Sequence, residues 1–156
     1  WSYQIAFDTD KDAVQKIAQE IVDNIDLKIV KNDIIALSYL VTNVRKCNEL
    51  TYRQLCNRIL SEMNLLDYVG IPFKEGLAVL IWHINHYNEK KAQEITDRIF
   101  KLEFDELLDK SDTKAVNKLI WNLLQIDELG VRSWIQNTKE DKWVKKARSS
   151  STDGTF

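Results

Sequence analysis

Residues 75–87 read Glu-Gly-Leu-Ala-Val-Leu-Ile-Trp-His-Ile-Asn-His-Tyr. At 3.6 residues per turn, Leu77, Ala78, Leu80, Ile81, Trp82, Ile84 and Tyr87 cover most sides of a helix. A helix that is apolar almost all round is stable only when other elements wrap it. Asn88 follows and can end it. Asp33 to Lys46 reads the same way, through Ile34, Ile35, Ala36, Leu37, Tyr39, Leu40, Val41 and Val44, with Asn32 as N-cap. Two such segments predict an all-α protein, an irregular bundle of six to seven helices with these two central and mostly buried.

The rest of the chain supplies the wrapping. Asp10 to Asn24 carries one stripe of Ala13, Val14, Ile17, Ala18, Ile21 and Val22, with Thr9 and Asp12 as a variant capping box. Ahead of it, Trp1 to Phe7 alternates weakly and reads as a short extended arm. A capping box of Thr51 and Gln54 predicts a helix through Leu55, Cys56, Ile59, Leu60 and Met63. Leu65 to Gly76 holds the only Pro and reads as irregular. Further helices are expected over Lys90 to Lys101 and over Thr113 to Gln125, the latter capped by Ser111 or Asp112. Between them, Glu103 to Asp109 either continues the first or turns. Past Gly130, short helices are expected around Arg132 to Gln136 and Thr138 to Arg148. A strand at 1–7 or 26–31 stays open. Short connections imply mostly antiparallel neighbours, and no repeat of 20–50 residues stands out. Residues 1–148 read as one helical domain, and 149–156, rich in Ser and Thr, as a disordered tail.

Composition agrees. A chain of 156 residues with 44% hydrophobic and 29% charged content buries about 70% of its unfolded surface on folding. Four Gly and one Pro are too few for the turns of an all-β fold. There is no apolar run long enough to span a bilayer, and no basic-then-apolar N-terminus. Membrane insertion and a signal peptide are therefore not expected. Starting at Trp1, the chain reads as a fragment or trimmed product. Cys47 and Cys56 lie nine apart and make no disulfide framework. A reduced, cytoplasmic setting is the expectation.

Several functions lose their support here. No G-x-S-x-G elbow, no P-loop, no G-x-G-x-x-G and no H-E-x-x-H pattern occurs. His83 and His86, with Glu89, are the one metal-like grouping, and no distant His completes it. No enzymatic activity, cofactor or metal is expected. Lys and Arg number 22 against 24 Asp and Glu, a net charge of -2, which speaks against a dedicated nucleic-acid binder. Thr51-Tyr-Arg-Gln-Leu resembles the start of a helix-turn-helix unit. The helix that would read bases, Leu77 to Tyr87, carries no Arg or Lys for them.

The charge is unevenly spread, acidic early and basic late. Leu102 to Asp109 alternates acids with large apolar residues, as helices that dock on a partner do. The sequence therefore predicts a non-enzymatic interaction module: an adaptor, regulator or inhibitor of another protein. Its expected contact is Glu103, Phe104, Asp105, Glu106 and Asp109, with Tyr87, Trp121, Trp134 and Trp143 as candidate interface aromatics. The alternative is a regulatory nucleic-acid binder using Lys139, Lys142, Trp143, Lys145 and Lys146, in which lysines meet phosphates and Trp143 stacks a base. The bias towards Ile, Asn, Lys and Asp suggests an AT-rich coding sequence, an association with mobile elements, defence systems and some pathogens.

Overall fold

The computed structural model describes residues 2–137. The basic segment from Lys139 to Arg148 and the tail 149–156 lie outside the described residues. The chain opens with α1 (Ser2–Asn24) and α2 (Leu27–Val30). Then come α3 (Ile34–Cys47), α4 (Glu49–Glu62), a 3-10 turn at Leu65–Tyr68, α5 (Glu75–Tyr87) and α6 (Glu89–Ile99). After these follow α7 (Phe104–Lys110) and α8 (Thr113–Ile126). Residues 128–137 form α9 to the limit of the described chain.

One device recurs three times. A single residue ends a helix and starts the next: Asn48 between α3 and α4, Asn88 between α5 and α6, Asp127 between α8 and α9. Their backbones share one extended geometry, with φ/ψ of -163/122, -152/95 and -152/79 degrees. Each N–H donates to the carbonyl four residues back, on Val44, Ile84 and Leu123. Each carbonyl accepts from the N–H four residues ahead, on Tyr52, Ala92 and Val131. Each side-chain oxygen then takes donors left over in the new first turn: Leu50 and Thr51 at Asn48, Lys91 at Asn88, Gly130 at Asp127.

The junctions stand 40 and 39 residues apart, and the core follows them. Four residues before each lie buried Val44, Ile84 and Leu123; eleven before, Leu37, Leu77 and Val116. Four after lie Tyr52, Ala92 and Val131; seven after, Leu55, Ile95 and Trp134, all buried. The expectation of no repeat is thus corrected. Among the described residues three helical hairpins, α3–α4, α5–α6 and α8–α9, recur at intervals of about 40 residues within the all-α bundle.

The first helices of the hairpins lie side by side, with α5 between α3 and α8. They run parallel. Gly76 sits against Ile34 while His83 meets Thr42 further along both helices. Likewise Glu75 pairs with Lys118 and Ala78 with Asn122. Short connections do not give antiparallel neighbours at these interfaces, because each connection leads away to a second helix first. Those second helices fill in behind: α4 also packs on α5, and α6 on α8. Stacking between hairpins therefore buries what one hairpin alone leaves exposed.

Other expectations are adjusted. Helices outnumber the six to seven expected among the described residues, because α2, the 3-10 turn and a separate α7 add to them. No strand occurs among the described residues. Residues 2–7 are helical, since no Pro or Gly interrupts α1 up to Asn24. Of the α1 stripe, Ala18 and Val22 are buried, while Val14, Ile17 and Ile21 are exposed. Helix α5 is central as expected; α3 packs against α1, α2, α4 and α5 and still exposes Ile35 and Tyr39. Asp33, not Asn32, caps α3, accepting from the Ala36 N–H at 3.0 Å. Thr51 and Gln54 cap nothing. Both bond to Gln19 of α1, at 2.7 Å each, and lock α1 onto α4.

Candidate functional site

The parallel stacking brings equivalent positions of three helices onto one face. Six residues before each junction stand Thr42, Trp82 and Trp121, and all three line an open groove of about 850 Å³. Helix α5 forms the floor with Val79, Trp82 and His83. Helix α3 and the start of α4 supply Arg45, Lys46 and Glu49 on one side; α8 supplies Asn117, Lys118 and Asn122 on the other.

The floor is ordered by ring contacts. The Arg45 guanidinium lies over the Trp82 ring at 4.6 Å and the Tyr52 ring at 5.8 Å, a cation–π arrangement that fixes both partners. Trp82 stacks on His86 at 4.2 Å and meets His83 edge-on at 4.9 Å. Across the groove Trp121 is 67% exposed. Asn122 is buried and donates to the Ala78 carbonyl at 2.8 Å, pinning α8 to α5. Lys118 pairs with Glu75, and Lys114 reaches the same carboxylate at 4.0 Å.

His83 is the polar centre beneath the floor. Its Nε2 lies 3.0 Å from Thr42 Oγ1, and its Nδ1 lies 3.0 Å from the Tyr52 hydroxyl. Thr42 also donates to the Ser38 carbonyl at 2.8 Å. Its oxygen must then accept at His83, which assigns the ring proton to Nε2. Nδ1 then accepts from the Tyr52 hydroxyl, which also lies within donating distance of the His83 carbonyl at 3.2 Å. Burial, with Arg45 and His86 nearby, lowers the His83 pKa to about 4. Burial also pushes the Tyr52 hydroxyl up and the Cys56 thiol up to about 11. None of the three changes charge near neutral pH. The groove offers cations, flat aromatic surface and amide groups, which are means of binding.

The expected sites fall as follows. His83 and His86 do not converge on a metal: one ring is committed to Thr42 and Tyr52, and the other lies on Trp82. Among the described residues no group of three or more His, Cys, Asp and Glu side chains could hold a metal ion. In the acidic segment, Phe104 belongs to the core, 8% exposed and edge-on to Trp134 at 5.0 Å. It is withdrawn from the exposed contact. Glu103, Glu106 and Asp109 are exposed, Asp105 is half-buried, and Glu106 pairs with Lys110 at 2.8 Å. Trp134 is buried and donates its indole N–H to the Leu102 carbonyl, and Tyr87 is half-buried. Lys139, Lys142, Trp143, Lys145 and Lys146 lie outside the described residues. Trp121 is thus the fully presented member of the four aromatics, among those described.

Sequence reasoning missed the groove because its lining comes from three segments. One signal was present. Trp121 does not share the α8 stripe of Val116, Leu119, Ile120, Leu123 and Leu124, so it had to point elsewhere. Trp82 gave no such signal inside an all-apolar helix.

No protein-family model, curated protein or solved structure matches this chain. No helix among the described residues is long and apolar enough to cross a membrane.

Proposed function

We propose that this protein is a non-enzymatic interaction module, an adaptor, regulator or inhibitor of another protein, and that its main contact is the α3–α5–α8 groove. The observation that carries the reading is Trp121. It is 67% exposed although the same helix buries Val116, Leu119 and Leu123, and Lys118 lines the same groove wall. A large ring left in water beside a cation is what interface hot spots look like before the partner arrives. Concave faces built from one helix layer serve stacked hairpins as binding surfaces. The outer side of α7, with Glu103, Asp105, Glu106, Leu108 and Asp109, is a second contact in this reading. A cytoplasmic setting belongs to the same proposal, supported by two cysteines that form no disulfide.

The test is comparative capture from native extract at physiological salt. Wild type, Trp121→Ala and a variant with Glu103, Asp105, Glu106 and Asp109 all reversed to Lys are compared. A partner retained by wild type and lost by Trp121→Ala is the expected result. Identical capture by all three overturns the reading. The alternative, regulatory nucleic-acid binding through Lys139, Lys142, Trp143, Lys145 and Lys146, is tested by anisotropy on DNA and RNA oligonucleotides. Affinity that falls steeply with salt and vanishes without residues 138–156 would transfer the function to that segment.

A further inference from the structure

We infer that the groove seats an acidic amphipathic helix of a partner protein, lying along α5 between α3 and α8. This rests on the interaction-module reading and names the partner's chemistry.

Charge is the first argument. The groove is lined by Arg45, Lys46 and Lys118 and by Glu49. Lys118 is paired with Glu75 at the wall, which leaves Arg45 and Lys46 as the cations offered, on a chain whose net charge is -2. A cationic groove on an acidic protein selects an acidic partner and steers its approach. Arg45 is already held on the Trp82 ring, so little of its side-chain freedom is left to lose on binding.

Shape is the second. Packed helices lie about 8–10 Å apart, so α3 and α8, flanking α5, stand up to about 16–20 Å from each other. A helix with its side chains is about 10–12 Å across and fits between them. The groove volume of about 850 Å³ corresponds to roughly two turns of such a helix. Val79 and Trp82 below and Trp121 at the side meet its apolar stripe, while Arg45 and Lys46 meet acids along its α3 flank.

The competing occupants fit less well. Glu49 lines the groove and Glu75 pairs with Lys118 at its wall. A phosphate backbone, charged at every step, cannot avoid them, whereas a helix can place its carboxylates clear of both. The chain's own acidic helix, α7, turns Phe104 and Leu107 inward and exposes only Leu108 as an apolar anchor, too little for a face with two tryptophans.

The experiment uses labelled synthetic peptides of roughly 15 residues, long enough to hold a helix. One carries a Leu/Phe stripe flanked by Glu. A second has Lys for every Glu, and a third has Ala for the stripe. Anisotropy is read against the full chain and against Trp121→Ala and Lys46→Glu, each checked by circular dichroism. The expected result is binding of the Glu peptide at least about tenfold tighter than the other two, weakened about tenfold by either variant. If Trp121→Ala fails to fold, Lys46→Glu, at an exposed position, carries the test. Equal affinity for Glu and Lys peptides overturns the inference. So does insensitivity to the variants, tighter binding of a matched-length oligouridine, or self-association in sedimentation that blocks the peptides. If capture from extract still depends on Trp121 while the peptides show no acid preference, this inference fails and the interaction module stands. If both are absent, both fall.

Discussion

Thr42 Oγ1 and His83 Nε2 lie 3.0 Å apart, joining α3 to α5 directly under the groove. The bond needs a proton on Nε2, because Thr42 donates its own proton to Ser38, and it is Nδ1, accepting from the Tyr52 hydroxyl at 3.0 Å, that requires a neutral ring. His83 is 2% exposed and its pKa is lowered to about 4. In the unfolded chain it returns to about 6.5.

Stability should therefore fall with pH across this interval. Between about 6.5 and 4 the unfolded chain binds a proton at this position that the folded chain refuses. The His83 contribution is complete above pH 6.5 and is lost progressively as pH drops towards 4. Urea unfolding at pH 7 and pH 5 measures it, before most carboxylates titrate. His83→Gln, which cannot titrate, should lose distinctly less stability between the two pH values than wild type. An equal loss in both would show that His83 does not carry the proton linkage.

The three junctions should respond alike to loss of their side chains. Asn48→Ala, Asn88→Ala and Asp127→Ala each remove an acceptor from a helix first turn, at a typical cost of about 1 kcal/mol. Asn48 accepts from two N–H groups and Asp127 accepts from Gln93 at 3.1 Å besides Gly130, so these two should cost more than Asn88, which accepts from Lys91 alone. Asp112→Ala is the control. Asp112 holds the N-cap position of α8 but makes no side-chain cap bond, and its loss should change stability by under about 0.5 kcal/mol. Chemical denaturation of the four variants decides whether the junction bonds are what distinguishes them.

Helices were legible wherever the apolar pattern was dense and the end polar. Helix α5 runs from Glu75 to Tyr87 as its sequence predicts, and Asn88 stops it. Caps were less legible, because a capping residue has competing partners. Thr51 and Gln54 carry a good local signature, yet Gln19, 32 and 35 residues away, takes both. The 40-residue period was hidden because it is written in burial, not identity. Tyr52, Ala92 and Val131 do the same job with three shapes, and only Asn48, Asn88 and Asp127 mark it with polar residues. The groove depends on that period. Trp82 and Trp121 share a face only once the hairpins are stacked in register.

Two tryptophans should then separate stability from binding. Trp134 donates to the Leu102 carbonyl at 2.9 Å and packs on Phe100 and Phe104 at 5.4 and 5.0 Å. Trp134→Ala should cost about 3–5 kcal/mol through the cavity it leaves. Trp121, 67% exposed, should cost under about 1 kcal/mol on the same change. Parallel urea curves test the contrast. A large loss from Trp121→Ala would mean that the ring supports the fold and is not held ready for a partner.

Gly76 sets how closely α3 and α5 approach, and so how deep the groove floor sits. It lies twelve residues before its junction, in register with Ala36 and Ala115, a row of small residues on all three first helices. A Cβ at Gly76 would stand 2.7 Å from the Ile34 carbonyl oxygen and 2.8 Å from the Ile35 nitrogen. Both are backbone atoms and cannot rotate away. Helix propensity favours Ala over Gly by about 1 kcal/mol, while forcing packed helices apart costs about 1–3 kcal/mol. The clash should prevail, and Gly76→Ala should destabilise by about 1–2 kcal/mol. At Gly70 an added Cβ meets nothing within 4 Å, so Gly70→Ala should be neutral or stabilise by under about 1 kcal/mol. Thermal melts of the pair test this directly. If Gly76→Ala were the stabilising one, α3 could move off α5 freely, and the alignment of Thr42 with Trp82 along the groove would not depend on this contact.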